Sequence, residues 1–204
     1  VSNYQPLHER DVDPDPVRQF SVWFAEATGA GIPAPEAAAV ATASSDGVPS
    51  VRMVLVKRAD AQGFVFFSHY ESRKGTELAG NPRAALLFYW EPLGRQVRVE
   101  GRVRRTNVEE SRAYARSRPR GSQLSALASP QSSVIENRAA LERRVTDLAA
   151  AHTGNELPVD DHWGGYRLIP GTFEFWQQRD DRLHDRLLYT LQGDGRWRLQ
   201  RLAP

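Results

Sequence analysis

A chain of 204 residues has room for one well-filled core and little more, so a single domain is expected. It has no cysteine, which removes disulfides, thiolate nucleophiles and thiolate metal sites and makes a reducing cytoplasm the simplest compartment; its longest apolar run, Ala84 to Trp90, is far too short for a membrane-spanning helix. The net charge is +2 while the pI is about 9.1, because all the basic residues except Lys57 and Lys74 are arginine, the better planar partner for phosphate and carboxylate.

Residues 1–14 are polar and interrupted by proline, lack the zones of a secretion signal, and are expected as a flexible arm ahead of one domain over 15–204. Pro16 opens a helix in which Phe20, Trp23, Phe24 and Ala27 recur at helical spacing until Gly29 and Gly31 stop it. From Ala37 the period changes to two. Ala37 to Ser44, Val51 to Lys57, Gly63 to Ser68, Ala84 to Trp90 and Gln96 to Arg105 read as strands. Most gaps between them are too short for a crossover helix, which points to an antiparallel barrel or sandwich and away from a doubly wound sheet. Asn107 caps a helix over Val108 to Ser117, Pro119 ends it, and Ser133 to Ala151 reads as another. Strands return at Gly165 to Ile169, Thr172 to Gln177, Arg186 to Leu191 and Arg196 to Leu202, the last two joined at Gly193-Asp194-Gly195.

Four clusters carry candidate chemistry. Arg52 and Lys57 bound one strand, and being five positions apart they leave opposite faces unless a bulge or an interface between subunits intervenes. Ser72-Arg73-Lys74 opens a short helix, where free backbone N–H groups and two cations suit a phosphate. Tyr114 and Arg118 share a helix face, and Pro119 with Gly121 turns the chain so that Ser122 comes back toward them. In Arg182-Leu183-His184-Asp185-Arg186, two arginines flank a histidine on one face of an extended segment, with Trp176 upstream as an aromatic wall. The five histidines are too scattered for a metal site. The short arginine clusters Arg102 to Arg105 and Arg143 to Arg144 lie beside glutamates, and no nucleic-acid motif accompanies them. The shared theme is anion binding with no evident nucleophile, which suits a cofactor that carries the redox chemistry.

Taken together and in this order, these clusters resemble the pyridoxine/pyridoxamine 5'-phosphate oxidase family. The resemblance also includes Gly94-Arg95-Gln96-Val97, Gln131-Ser132-Ser133, Trp163-Gly164-Gly165-Tyr166 and Glu174-Phe175-Trp176-Gln177, and it runs from about Asp11 to Pro204. It implies a mainly β, FMN-binding split barrel with flanking helices, acting as a homodimer with FMN at the interface. It implies FMN contacts from Arg52, Met53, Val54, Leu55, Val56, Lys57, Phe67, Ser68, Arg73, Lys74 and Gln96, with Gln131, Ser132, Trp176 and Arg186 completing the site from the second subunit. Substrate would be held by Lys57, Tyr114, Arg118, Ser122, Arg182, Leu183 and His184, with Arg182 and His184 over the reacting ring as catalytic residues. The implied reaction is oxidation of pyridoxamine or pyridoxine 5'-phosphate by O2 to pyridoxal 5'-phosphate and hydrogen peroxide, with ammonia released from the amine. The alternatives are a phenazine-pathway-like flavin oxidase and a noncatalytic flavin- or heme-binding split barrel. One departure is Gln178, which stands where the family usually has glycine after Trp-Gln.

Overall fold

In β1 (Ala37–Ala43), Ala38, Val40 and Thr42 are buried and their neighbours are not, so this strand shows the period of two in its plainest form. The computed structural model describes residues 4–204. In it β1 joins β2 (Pro49–Asp60), β3 (Gly63–His69), β4 (Arg83–Trp90), β5 (Arg95–Arg105) and β6 (Trp163–Gln177) in the order β3-β2-β1-β4-β5-β6, every neighbouring pair antiparallel. Pairing of β6 back onto β3 closes a six-stranded barrel. β7 (Asp185–Leu191) and β8 (Trp197–Arg201) continue the sheet beyond β6.

β6 is long because it changes partners. Trp163 to Leu168 pair with β3, Thr172 to Gln177 pair with β7, and β5 runs along the other side of both halves. The two strands expected on either side of Pro170-Gly171 are therefore one strand, bent where its register against β5 shifts between Glu100 and Gly101. Gly101 makes this bend possible: a Cβ there would lie 1.9 Å from the Ile169 carbonyl oxygen.

Aromatic residues fill the barrel. α1 (Pro16–Gly29), capped by the Asp15 carboxylate on the Val17 N–H at 2.9 Å, sends Phe20 against Phe64 and Trp23 against Phe175 with edge-on rings 4.9 and 5.2 Å apart. α2 (Arg73–Gly80) connects β3 to β4, and α3 (Val108–Ser117) follows β5 behind its Asn107 cap. Two differences from the expected helices follow. The segment read as a turn after Pro119 is α4 (Arg120–Ala128), since proline at an N-cap leaves the following helix intact. α5 spans Arg138–Ala151, shorter than expected, because Asn137 caps Ala140 N–H at 2.8 Å and fixes the start there. No described helix is long and apolar enough to cross a membrane.

Residues 4–14, expected as part of a flexible arm, lie docked along β7 and β8; residues 1–3 of that arm are outside the described residues. Leu7 and Val12 are buried. The Leu7 N–H donates to Asp185 Oδ2 at 3.1 Å, its carbonyl accepts from Arg201 at 2.7 Å, and Tyr189 donates to the Asp13 carbonyl at 2.7 Å.

Candidate active site

Ser72 caps α2 by accepting from the Gly75 N–H, so the first turn of the helix faces the end of β3 and brings Arg73 and Lys74 with it. The Lys74 ammonium is buried and donates to Ser68 Oγ and Gln131 Oε1, both at 2.8 Å, and to Ser72 Oγ at 3.3 Å. Burial, and then the charge of Arg52, hold its pKa down at about 8, with Glu77 acting in the opposite direction. Gln131 also accepts from Ser68 Oγ at 2.8 Å, so within one chain it reaches the cluster of Ser68 and Lys74. Its neighbour Ser132 holds a left-handed φ of 74° that turns the chain there.

Arg52 points inward from β2 into the same region. Its terminal nitrogens donate to Thr42 Oγ1 at 2.5 Å, the Val40 carbonyl at 3.4 Å, Glu77 Oε2 at 3.2 Å and Ser50 Oγ. Arg73 Nε meets the other Glu77 oxygen at 2.9 Å. Arg52, Ser68, Arg73, Lys74 and Gln131 thus form one cationic, hydroxyl-rich cradle, a donor set that fits the phosphate of a cofactor. Sequence reasoning missed Thr42, Ser50 and Glu77. The spacing of Arg73 and Glu77 by four residues on a helix was a readable signal; Thr42 and Ser50 meet only through the register that pairs them across β1 and β2.

Lys57 leaves this cradle. A bulge between Val56 and Arg58 interrupts the β2–β3 register, yet it does not bring Lys57 to Arg52. The Lys57 ammonium sits 3.3 Å from Glu36 and lines an open cleft of about 780 Å³ with Val65, Phe67, Glu110 and Tyr114. Between the two cations the strand alternates: Val56 is buried in the core, Val54 packs against it, and Met53 and Leu55 are exposed on the outer face. Val56 can therefore offer a ligand little but its backbone, while Val54 is half-buried.

Phe67, Tyr114 and Trp163 stack nearly parallel, with Phe67 and Tyr114 on the cleft and Trp163 behind them, Phe67 lying 3.9 Å from Tyr114 and 5.5 Å from Trp163. The Arg118 guanidinium lies over the Trp163 ring at 4.9 Å and faces a smaller cavity of about 300 Å³ shared with His69 and Gln131. Arg118 thus joins the aromatic wall to the cradle. Ser122 sits in the first turn of α4, its N–H bonded to the Pro119 carbonyl at 2.9 Å.

The remaining candidates gather at the other end of β6. Trp176 pairs with Gln96 on one side and Arg186 on the other, and its ring lies 4.6 Å from that of His184. Arg186 is fixed by Glu174 at 2.7 Å and by the Ala203 carbonyl at 2.9 Å. His184 Nδ1 accepts from the Arg179 N–H at 3.1 Å, so the proton of the neutral ring is on Nε2, which is a donor. Asp181 and Arg182 both hold left-handed φ values, 54° and 59°, and Arg182 and Leu183 stand exposed to solvent. Gln178 is accommodated beside this loop: its N–H donates to the Gly94 carbonyl at 2.8 Å, and its φ is not left-handed, so the position does not need glycine.

Within one chain, then, the candidates fall into two groups. Trp163, beside the cradle and cleft, and Trp176, beside His184, are thirteen residues apart on one strand, a contour of about 40 Å at about 3.3 Å per residue. On the outer barrel face Val51, Met53 and Leu55 of β2 lie exposed near Leu87 and Tyr89 of β4, an apolar strip across β1.

Residues 24–151 match the family described as Pyridoxamine 5'-phosphate oxidase, and residues 163–204 match the Pyridoxine 5'-phosphate oxidase C-terminal dimerisation region. The second match begins where β6 begins. The pyridoxine/pyridoxamine 5'-phosphate oxidase of Paraburkholderia phymatum is 57% identical over 194 residues, covering 95% of this chain and 91% of the relative. That of Burkholderia thailandensis is 56% identical over 200 residues, covering 97% and 93%. Among solved structures, PhzG from Burkholderia lata 383, in complex with tetrahydrophenazine-1-carboxylic acid, superposes with a TM-score of 0.92 at 33% identity over the whole of both chains. A pyridoxamine 5'-phosphate oxidase-related, FMN-binding protein from Nostoc punctiforme PCC 73102 shares the fold, with a TM-score of 0.72 at 16% identity over 93% of this chain and 98% of its own.

Proposed function

The chain belongs to the pyridoxine/pyridoxamine 5'-phosphate oxidase family, and from that membership we propose that it is an FMN enzyme oxidising pyridoxamine and pyridoxine 5'-phosphates to pyridoxal 5'-phosphate. The observation that carries the reading is that the cradle of Arg52, Ser68, Arg73, Lys74 and Gln131 lies beside a second set of anion donors, Lys57 and Tyr114 on the open cleft and Arg118 on the smaller cavity that Gln131 also lines. One suits the phosphate of FMN, the other the phosphate of the substrate. When bound, FMN supplies the two-electron redox chemistry, with O2 as final acceptor giving hydrogen peroxide and, from the amine after hydrolysis, ammonia.

The chain's own residues bind and orient. Lys57, Tyr114, Arg118 and Ser122 hold the substrate phosphate, and the stacked rings of Phe67 and Tyr114, backed by Trp163, give the cleft a rigid apolar wall. Arg182 and His184, at the far end of β6, serve the site of a second copy; the apolar strip of Val51, Met53 and Leu55 and the matched dimerisation region support a homodimer. Gln96, Trp176 and Arg186 flank the flavin from that end. His184 acts as a hydrogen-bond donor through Nε2–H, because its Nδ1 lone pair is committed to the Arg179 N–H. Arg182 and His184 lie over the substrate ring, and Leu183 between them adds a substrate contact.

The 0.92 similarity to PhzG favours a second reading, a phenazine-type oxidase on the same barrel. Both are tested by mixing the FMN-reconstituted protein anaerobically with pyridoxamine 5'-phosphate, pyridoxine 5'-phosphate, their unphosphorylated forms and a reduced phenazine carboxylic acid. Bleaching of the flavin by the two phosphorylated compounds alone is expected. Bleaching by the phenazine compound and by neither phosphate ester would transfer the assignment to the second reading.

A further inference from the structure

We propose that Glu77 is the positioning residue of the phosphate cradle, a buried carboxylate that fixes Arg52 and Arg73 and matches the cradle's charge to a phosphate dianion. The inference rests on the FMN reading above. Glu77 is on the second turn of α2 and is buried. One of its oxygens takes Arg73 Nε at 2.9 Å and the other takes Arg52 at 3.2 Å. Ser50 Oγ lies 2.8 and 2.6 Å from the two oxygens, and Thr42 donates to the one that Arg52 shares.

Two arginines and a lysine gathered at one helix start repel one another, and Arg52 is close enough to Lys74 to depress its pKa. A carboxylate between the two guanidiniums removes part of that repulsion and sets their planes. Although burial opposes ionisation, hydrogen bonds from Ser50, Thr42, Arg73 and Arg52 hold the Glu77 carboxyl at about 2, so it is charged throughout the neutral range. Arg52, Arg73 and Lys74 with one carboxylate leave a net charge of +2, equal and opposite to a phosphate dianion. Arg73 meets Glu77 through Nε and is otherwise largely exposed, which leaves its outer nitrogens turned toward solvent and an arriving anion.

The partners of Glu77 are the cations and hydroxyls of the cradle, so its role addresses the phosphate. The test is titration of the flavin-free full-length chain with FMN and with riboflavin, which lacks the phosphate, followed by flavin fluorescence, for wild type, Glu77→Gln and Glu77→Ala. The near-isosteric glutamine keeps an acceptor oxygen and covers the case in which the alanine variant fails to fold. Expected is a rise in the FMN Kd of about tenfold for Glu77→Ala and about threefold for Glu77→Gln, with riboflavin Kd unchanged. Equal weakening of both ligands, or FMN binding as tight as wild type in either variant, overturns the positioning role and leaves the FMN reading standing. A wild-type chain that binds FMN no better than riboflavin overturns the phosphate reading itself, and the role of Glu77 with it.

Discussion

Lys74 is one of only two lysines in the chain, and it is buried with three oxygens around its ammonium. Its pKa of about 8 gives the cradle a pH limit. Below about 8 the group is protonated and ready for an anion; above it the free site loses its charge while the phosphate of FMN stays dianionic, so binding must draw a proton from solvent. FMN affinity is therefore predicted to fall by up to about tenfold per pH unit above about 8, and to lose that fall in Lys74→Met. Flavin fluorescence titrations from pH 6.5 to 9.5 check this; equal pH slopes in the two proteins would refute it. At this scale the basic residues were legible because arginine and lysine announce anion binding by type. Apart from Glu77, four residues after Arg73 on one helix, their partners were not, since Thr42 and Ser50 are unremarkable residues that only strand pairing brings beside Arg52.

α2 matters more than its eight residues suggest, because its first turn delivers Ser72, Arg73 and Lys74 to the end of β3. Gly75 allows the approach. A Cβ there would lie 2.1 Å from the Tyr70 carbonyl oxygen and 2.8 Å from that of His69, both backbone atoms that cannot swing aside. Gly75→Ala is predicted to push the helix start outward, costing about 1–3 kcal/mol of stability and weakening FMN binding in parallel. Thermal denaturation with a flavin titration measures both, and an alanine variant with native stability and affinity would contradict the packing. Elements were legible where periodicity was strong, as in β1 and α1. They were misread where one residue type has two uses: Pro119 ends one helix and begins another, and Pro170-Gly171 bends a strand that it was expected to end. The two glycine-dependent approaches, at Gly75 and Gly101, depend on neighbours far away along the chain or across a turn.

At the scale of the whole molecule, one chain holds both groups of candidate residues and separates them along β6, with cradle and cleft beside Trp163 and the Arg182–His184 segment beside Trp176. The barrel class could be read from short antiparallel gaps, and the family from the order of its motifs. That Gln131 meets Ser68 within its own chain could not, because the contact spans sixty-three residues and three helices. On the proposed reading, a working site takes its phosphate cradle from one chain and Arg182 with His184 from another. Subunit complementation tests it most directly: Lys74→Ala and Arg182→Ala chains, each impaired alone, are refolded together with FMN and assayed for pyridoxal 5'-phosphate formation. Random pairing in a two-fold dimer makes half the dimers mixed, each with one intact site of its two, so recovery to about a quarter of wild-type activity is predicted. A mixture no more active than the mean of its two parents would show that each chain carries a whole site, and would contradict the account.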